Sequence, residues 1–201
     1  MRTSLLLATA LLVAPAAAVA QSPFSLEIGA GVAIPVQDFG NAEPGTGFGF
    51  GANARYRFMP RLSAYAGWEW HHFSADLPPD ELDLEETGYT FGVRYDQTFG
   101  AARAEGDPGP GWWLRAGGTF AHFEVEDADE DGEDADDDAG ETDHGLGWEA
   151  GAGISWPLTS RIAVAPGLRI RMLRREIDTG LGPQDATLSY ITAGVGVVIG
   201  F

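Results

Sequence analysis

Gly145-Leu-Gly-Trp-Glu-Ala-Gly-Ala-Gly-Ile-Ser-Trp156 decides how this chain folds. Leu146, Trp148, Ala150, Ala152, Ile154 and Trp156 take every second position, and Gly145, Gly147, Glu149, Gly151, Gly153 and Ser155 fill the positions between them. A period of two is a strand, because a helix would gather its apolar residues at spacings of three and four. Gly47 to Phe58 repeats the pattern, with Phe48, Phe50, Ala52, Ala54, Tyr56 and Phe58 against Gly47, Gly49, Gly51, Asn53, Arg55 and Arg57. Similar runs closed by turn residues predict strands near 24–34, 46–58, 62–73, 87–99, 111–125, 145–156, 161–173 and 187–201. The class is all-β. Nineteen of the chain's 28 glycines fall within these runs, which points to close packing of neighbouring backbones.

Ahead of the first strand, Arg2 supplies a basic start, Ser4 to Val13 an apolar stretch too short to span a bilayer, and Ala18-Val-Ala20 a cleavage site. Residues 1–20 are therefore expected to be a signal peptide and residues 21–201 one domain. Beyond the leader no run reaches the ~18–20 apolar residues of a membrane helix, so any membrane span has to be made of strands. Cysteine is absent, and no disulfide holds the fold.

Alternation alone does not say which face is inside. A soluble barrel turns its apolar face inward and a membrane barrel turns it toward lipid. Three features favour lipid. Phe58, Phe99, Trp112, Trp156 and Phe201 would form one aromatic girdle, and Phe48, Trp70, Tyr89, Phe120 and Trp148 the other. The opposite face carries Glu27, Arg55, Arg57, Glu69, His71, Arg94, Asp96, Arg115, Glu149, Arg169 and Arg171, too many charges for an apolar core to bury. The connections also alternate in length: 59–61 and 157–160 are tight, whereas 35–45, 74–86, 126–144 and 174–186 are long and polar. Short periplasmic turns opposite long external loops are the asymmetry of an antiparallel up-and-down transmembrane β-barrel, here of eight strands, placed in the outer membrane. Only Gly100 to Pro110 is longer than its periplasmic position prefers.

With these residues in hand, the chain resembles the eight-stranded outer-membrane barrels of Gram-negative bacteria, the OmpA transmembrane-domain, OmpX and opacity-protein type. The ending Ala193-Gly-Val-Gly-Val-Val-Ile-Gly-Phe201 carries the likeness as strongly as the glycine-alternating strands do. The resemblance implies that Val197, Ile199 and Phe201 form the signal read by the barrel-assembly machinery. It further implies a monomer surrounded by outer-membrane lipid and lipopolysaccharide.

Inside an eight-stranded barrel there is room for side chains and little else. Glu27, Glu69, Asp96 and Glu149 facing Arg55, Arg57, Arg94, Arg115, Arg169 and Arg171 are read as a packed ion-pair network, centred on Glu149, Glu69, Arg55 and Arg94. A narrow cation-preferring pore is the transport alternative. The formal charge of −18 is concentrated outside: Glu124 to Asp143 holds thirteen acids in twenty residues, and Asp76 to Glu86 six more. Such a field excludes nucleic acid as a partner and favours cations. Asp127, Asp129 and Asp131, followed by Gly132, match the start of a calcium loop, with Asp138 at the twelfth position. The acidic loop at 126–144 is accordingly expected to bind Ca2+ weakly, with no other cofactor. His122 and His144 flank it and are candidates for a metal site.

An enzyme is the remaining alternative. His72-Phe-Ser74 with Glu86 is similar to the His-x-Ser and Glu arrangement of outer-membrane lipid A deacylases, in which serine attacks an acyl ester and histidine is the base. By parity, however, His72 and Ser74 face lipid with Trp68 and Trp70, whereas Glu86 faces inward with Thr90 and Arg94. The expected role is a surface protein with a structural or adhesion-like task.

Overall fold

The computed structural model describes residues 23–36, 43–77, 80–99, 109–127, 144–178 and 183–201. The expected leader at 1–20 lies outside the described residues, and so do residues 128–143 of the acidic segment. Every regular element among the described residues is a strand: β1 (Phe24–Pro35), β2 (Gly47–Met59), β3 (Leu62–Leu77), β4 (Asp80–Thr98), β5 (Gly111–Asp127), β6 (Gly145–Pro157), β7 (Ile162–Asp178) and β8 (Pro183–Gly200). A two-residue bridge, Glu43–Pro44, adds itself to the outer end of β3.

Each strand pairs antiparallel with the next, and β1 pairs with β8 from Ser25↔Gly200 to Pro35↔Tyr190, so the sheet closes on itself. Closure leaves no edge strand, the condition for β-structure in lipid, where water is not present to satisfy backbone polar groups. The turns at one end are tight. Met59 pairs with Leu62 around Pro60 and Arg61, with a bulge between Arg57 and Met59. In the β6–β7 turn the Thr159 hydroxyl accepts hydrogen bonds from the backbone N–H of Arg161 and Ile162. The longest connection, 128–144, leaves from the opposite end, which makes this end the periplasmic one.

The apolar face points outward. Ile28, Val32, Phe48, Phe50, Phe91, Leu114, Leu168 and Val195 are all exposed, whereas Glu69, Arg94, Glu149 and Arg171 on the other face are buried. Phe48 and Phe58 bracket ten steps of β2. At ~3.3 Å per step and a strand tilt of ~40° that is an apolar band about 25 Å tall, matching a bilayer's hydrocarbon layer.

Two of the expected external loops are corrected. Residues 74–77 with 80–86, and 174–178 with 183–186, continue the ladder, which runs to Leu77↔Asp80 between β3 and β4 and to Asp178↔Pro183 between β7 and β8. Their strand character is hidden in the sequence because polarity inverts above the lipid band. In β4 the outward residues change from Tyr89 and Phe91 to Asp83 and Glu85, and the inward ones from Thr90 and Arg94 to Leu84. Phe73, Leu84, Ala121, Phe123, Leu173, Leu188 and Tyr190, with Ala33, pack there as an apolar core inside the barrel. Outside the membrane the wall meets water on its outer face and obeys the soluble-barrel rule.

Candidate functional site

The interior is the built feature of this molecule, and parity decides what enters it. Near the periplasmic end Arg94 donates from Nη1 to Glu27 at 2.8 Å and from Nε to Asp96 at 3.0 Å. Arg55 lies 3.7 Å from Glu27 and donates from Nε to the Ser25 hydroxyl at 3.1 Å. The Arg94 guanidinium sits 4.6 Å above the Trp113 ring, which closes the floor against Gly153 and Gly167. A Cβ on Gly167 would come within 2.3 Å of Trp113 Cζ2, so only glycine admits the ring there.

At mid-height Arg171 is the hub. Its Nη2 donates to Glu69 at 2.5 Å and to Glu149 at 3.0 Å, and its Nη1 to Glu86 at 2.8 Å and to the Tyr190 hydroxyl at 3.1 Å. Arg169 donates to Glu69 and Arg115 to Glu149, while Arg115 is also 3.9 Å from Glu69. Asn53 donates to Glu69 at 3.2 Å, and the Tyr65 hydroxyl to Glu149 at 2.6 Å, with Arg115 stacked 4.2 Å over the Tyr65 ring. Above the hub the Tyr190 hydroxyl donates to Glu86, and His71 Nδ1 lies 3.7 Å from the same carboxylate. The apolar core then caps the stack.

Nine of the ten residues expected in the network thus make ion pairs in the lumen. Arg57 does not. It lies exposed on the periplasmic rim beside Pro23 and Pro60 and makes no ion pair among the described residues. Glu86, expected in the external acidic stretch and in the esterase alternative, takes a place inside. Among the described residues the interior ion pairs therefore join five carboxylates (Glu27, Glu69, Glu86, Asp96, Glu149) and five guanidinium groups (Arg55, Arg94, Arg115, Arg169, Arg171). In this described network the expected four acids against six arginines give way to equal numbers of the two, the balance a low-dielectric environment favours. The centre is corrected as well: Glu69 and Glu149 occupy it with Arg171 and Arg115, whereas Arg55 and Arg94 form a separate cluster on Glu27.

A cavity of about 30 Å³ is lined by Glu27, Asn53, Glu69 and Arg169 together with Gly29, Gly51 and Gly196. That volume takes a water or two. Tyr65, Tyr190 and Asn53 also belong to the network and are not legible as members of it in the sequence, because an uncharged residue on the polar face is indistinguishable from a strand-former. Their inward parity was the available signal.

The esterase residues are not brought together. His72 projects from the outer wall, 3.6 Å from both Asp83 and Glu85, and Ser74 is exposed on the same side. Glu86 is fully buried in the lumen, one position along β4 and therefore on the other side of the wall. Of the calcium residues, Asp127 ends β5, while Asp129, Asp131 and Asp138 lie outside the described residues. Val197 and Phe201 are exposed on the outer wall, with Ile199 between them half-buried, and the Phe201 N–H donates to the Phe24 carbonyl at 3.3 Å.

The fold has known counterparts. The chain is similar in fold to the Neisserial surface protein A, NspA, with a TM-score of 0.57 and 17% identity over 90% of this chain and 98% of that one. It is also similar to the outer membrane protein OprG from Pseudomonas aeruginosa, with a TM-score of 0.51 and 12% identity over 87% and 95% of the two chains. Among curated protein sequences none matches. The model of the outer membrane protein beta-barrel domain family matches residues 3–201, and the chain belongs to that family.

Proposed function

We propose that this member of the outer-membrane β-barrel family is a non-conducting surface protein, in which the barrel anchors and the external segments meet the environment. The observation that carries this reading is the filled interior: a charge-neutral network at mid-height, capped by Phe73, Leu84, Phe123, Leu173 and Leu188. A pore would need a continuous polar path through that cap. The fold shared with NspA, a surface protein by name, agrees with the reading. Function then resides in what the strands carry outward, as it does on many scaffolds whose rigid part only positions a surface. The acidic external stretches give that surface an affinity for cations and basic partners, with Asp127, Asp129, Asp131 and Asp138 as the weak calcium ligands. It works as a monomer among lipopolysaccharide.

The test is conductance across a planar bilayer holding the refolded barrel. A flat baseline is expected, and stepwise single-channel openings that follow barrel concentration would overturn the proposal. Calorimetric titration of calcium into the barrel, and into a variant lacking 126–143, tests the cation part. Saturable heat lost with the deletion supports it; weak heats that fade with salt oppose it.

A further inference from the structure

We propose that His122 and His144 form a binding site for a divalent transition-metal ion of the zinc, nickel or copper class on the external rim of the barrel wall. Outward parity on β5 lines up Phe120, His122 and Glu124. The β5–β6 register ends at Ala121↔Gly145, and one step further on sets His144 against His122. The imidazoles meet: Nδ1 of His122 is 3.0 Å from Nε2 of His144, with ring centroids 4.3 Å apart. The Phe120 ring, 5.1 Å from that of His144, supports it from the lipid side.

Glu124 fixes which nitrogen is free. Its carboxylate only accepts, so His122 Nε2, 2.8 Å away, carries the proton, and the lone pair sits on Nδ1, directed at His144. Without metal, His144 donates from Nε2 to that lone pair. With metal, the His144 proton moves to its own Nδ1 through solvent, and both facing nitrogens become ligands. Metal–nitrogen bonds of ~2.0–2.1 Å to two atoms 3.0 Å apart subtend about 94° at the ion, a right-angled pair of ligand positions. Opening to a tetrahedral angle takes only ~0.3 Å more separation.

Imidazole nitrogen selects zinc, nickel and copper over calcium and magnesium, so the site differs in kind from an acidic calcium loop. Glu124 acts as a positioning residue, the carboxylate behind a metal-bound histidine. No group of three or more His, Cys, Asp or Glu among the described residues converges on one point. The site is therefore a two-histidine clamp with water in the other positions. His144 is exposed and His122 partly so, which leaves the ion a route from solvent. The chain's net charge of −18 raises the local concentration of dications.

The refolded barrel in detergent is titrated with copper(II), nickel(II) or zinc(II) chloride by calorimetry, and the copper complex is examined by electron paramagnetic resonance. One saturable site is expected, with two nitrogens coupled to copper. His122→Ala and His144→Ala should each weaken it more than tenfold and abolish the two-nitrogen signal. Glu124→Ala should weaken it about 10–100-fold while both nitrogens remain. His72→Ala, a third outward histidine, should change nothing. A shifted unboiled gel band for each variant shows that the barrel has formed. Unchanged affinity in His122→Ala, or affinity lost in His72→Ala, would overturn the site. So would loss of affinity on replacing the acids of 128–143 by Asn and Gln with both histidines intact, since the loop carboxylates would then be the ligands.

Discussion

Replacing Arg171 by methionine removes the hub charge while keeping a long, flexible side chain in its place. Arg171 is 4% exposed and binds Glu69, Glu86 and Glu149 at once. Breaking a buried ion pair costs about 3–5 kcal/mol, because the abandoned charge stays buried. The structure says where that cost falls. Glu69 keeps Arg169 and Arg115, and Glu149 keeps Arg115 and the Tyr65 hydroxyl. Among the described residues Glu86 keeps only the Tyr190 hydroxyl and the neighbouring His71, so it becomes the uncompensated carboxylate. Arg171→Met is therefore expected to lose about 3–5 kcal/mol, and Glu86→Gln alone about 1–3 kcal/mol, since Arg171 then still holds two acids. Combining them should restore about 1–3 kcal/mol relative to Arg171→Met, the coupling of a contacting pair. Reversible urea unfolding in detergent micelles, followed by tryptophan fluorescence, measures all three, with unchanged slopes licensing comparison of midpoints. A loss below about 1 kcal/mol in Arg171→Met, or equal rescue by Glu149→Gln, would refute the assignment of Arg171 and Glu86 as the critical pair.

The floor of the barrel offers a steric test: Gly167→Val should block assembly or cost several-fold in refolding yield, because its first carbon already meets Trp113 at 2.3 Å. Gly109→Val, with nothing within 4 Å, should refold as the parent does. The apolar cap makes a separate prediction. Leu173→Ala, at a fully buried position above the lipid band, should lose about 2–5 kcal/mol in urea unfolding as a core truncation does. Leu168→Ala, on the exposed lipid face, should move the midpoint far less in detergent.

Eight strands, their outward faces and nine of the ten paired lumen charges were legible in the sequence, because a period of two assigns every residue of a strand to one face. Where the period carried a constant polarity, as from Gly145 to Trp156, reading and structure coincide. The upper wall was not legible. Leu82, Asp83, Leu84 and Glu85 alternate as faithfully as Val93 and Arg94, but with apolar and polar exchanged, so a rule tuned to lipid reads them as a loop. Side-chain partners were beyond the pattern as well. Parity put Arg57 and Arg171 on the same face, yet one meets water at the rim and the other is the hub of the interior, because depth along the barrel axis follows from register and closure. His122 and His144 stand 22 positions apart in the chain, and only the β5–β6 ladder brings their nitrogens to 3.0 Å. Sequence determines which way a residue of this protein points; pairing across strands, a long-range property of the closed sheet, determines what it meets there.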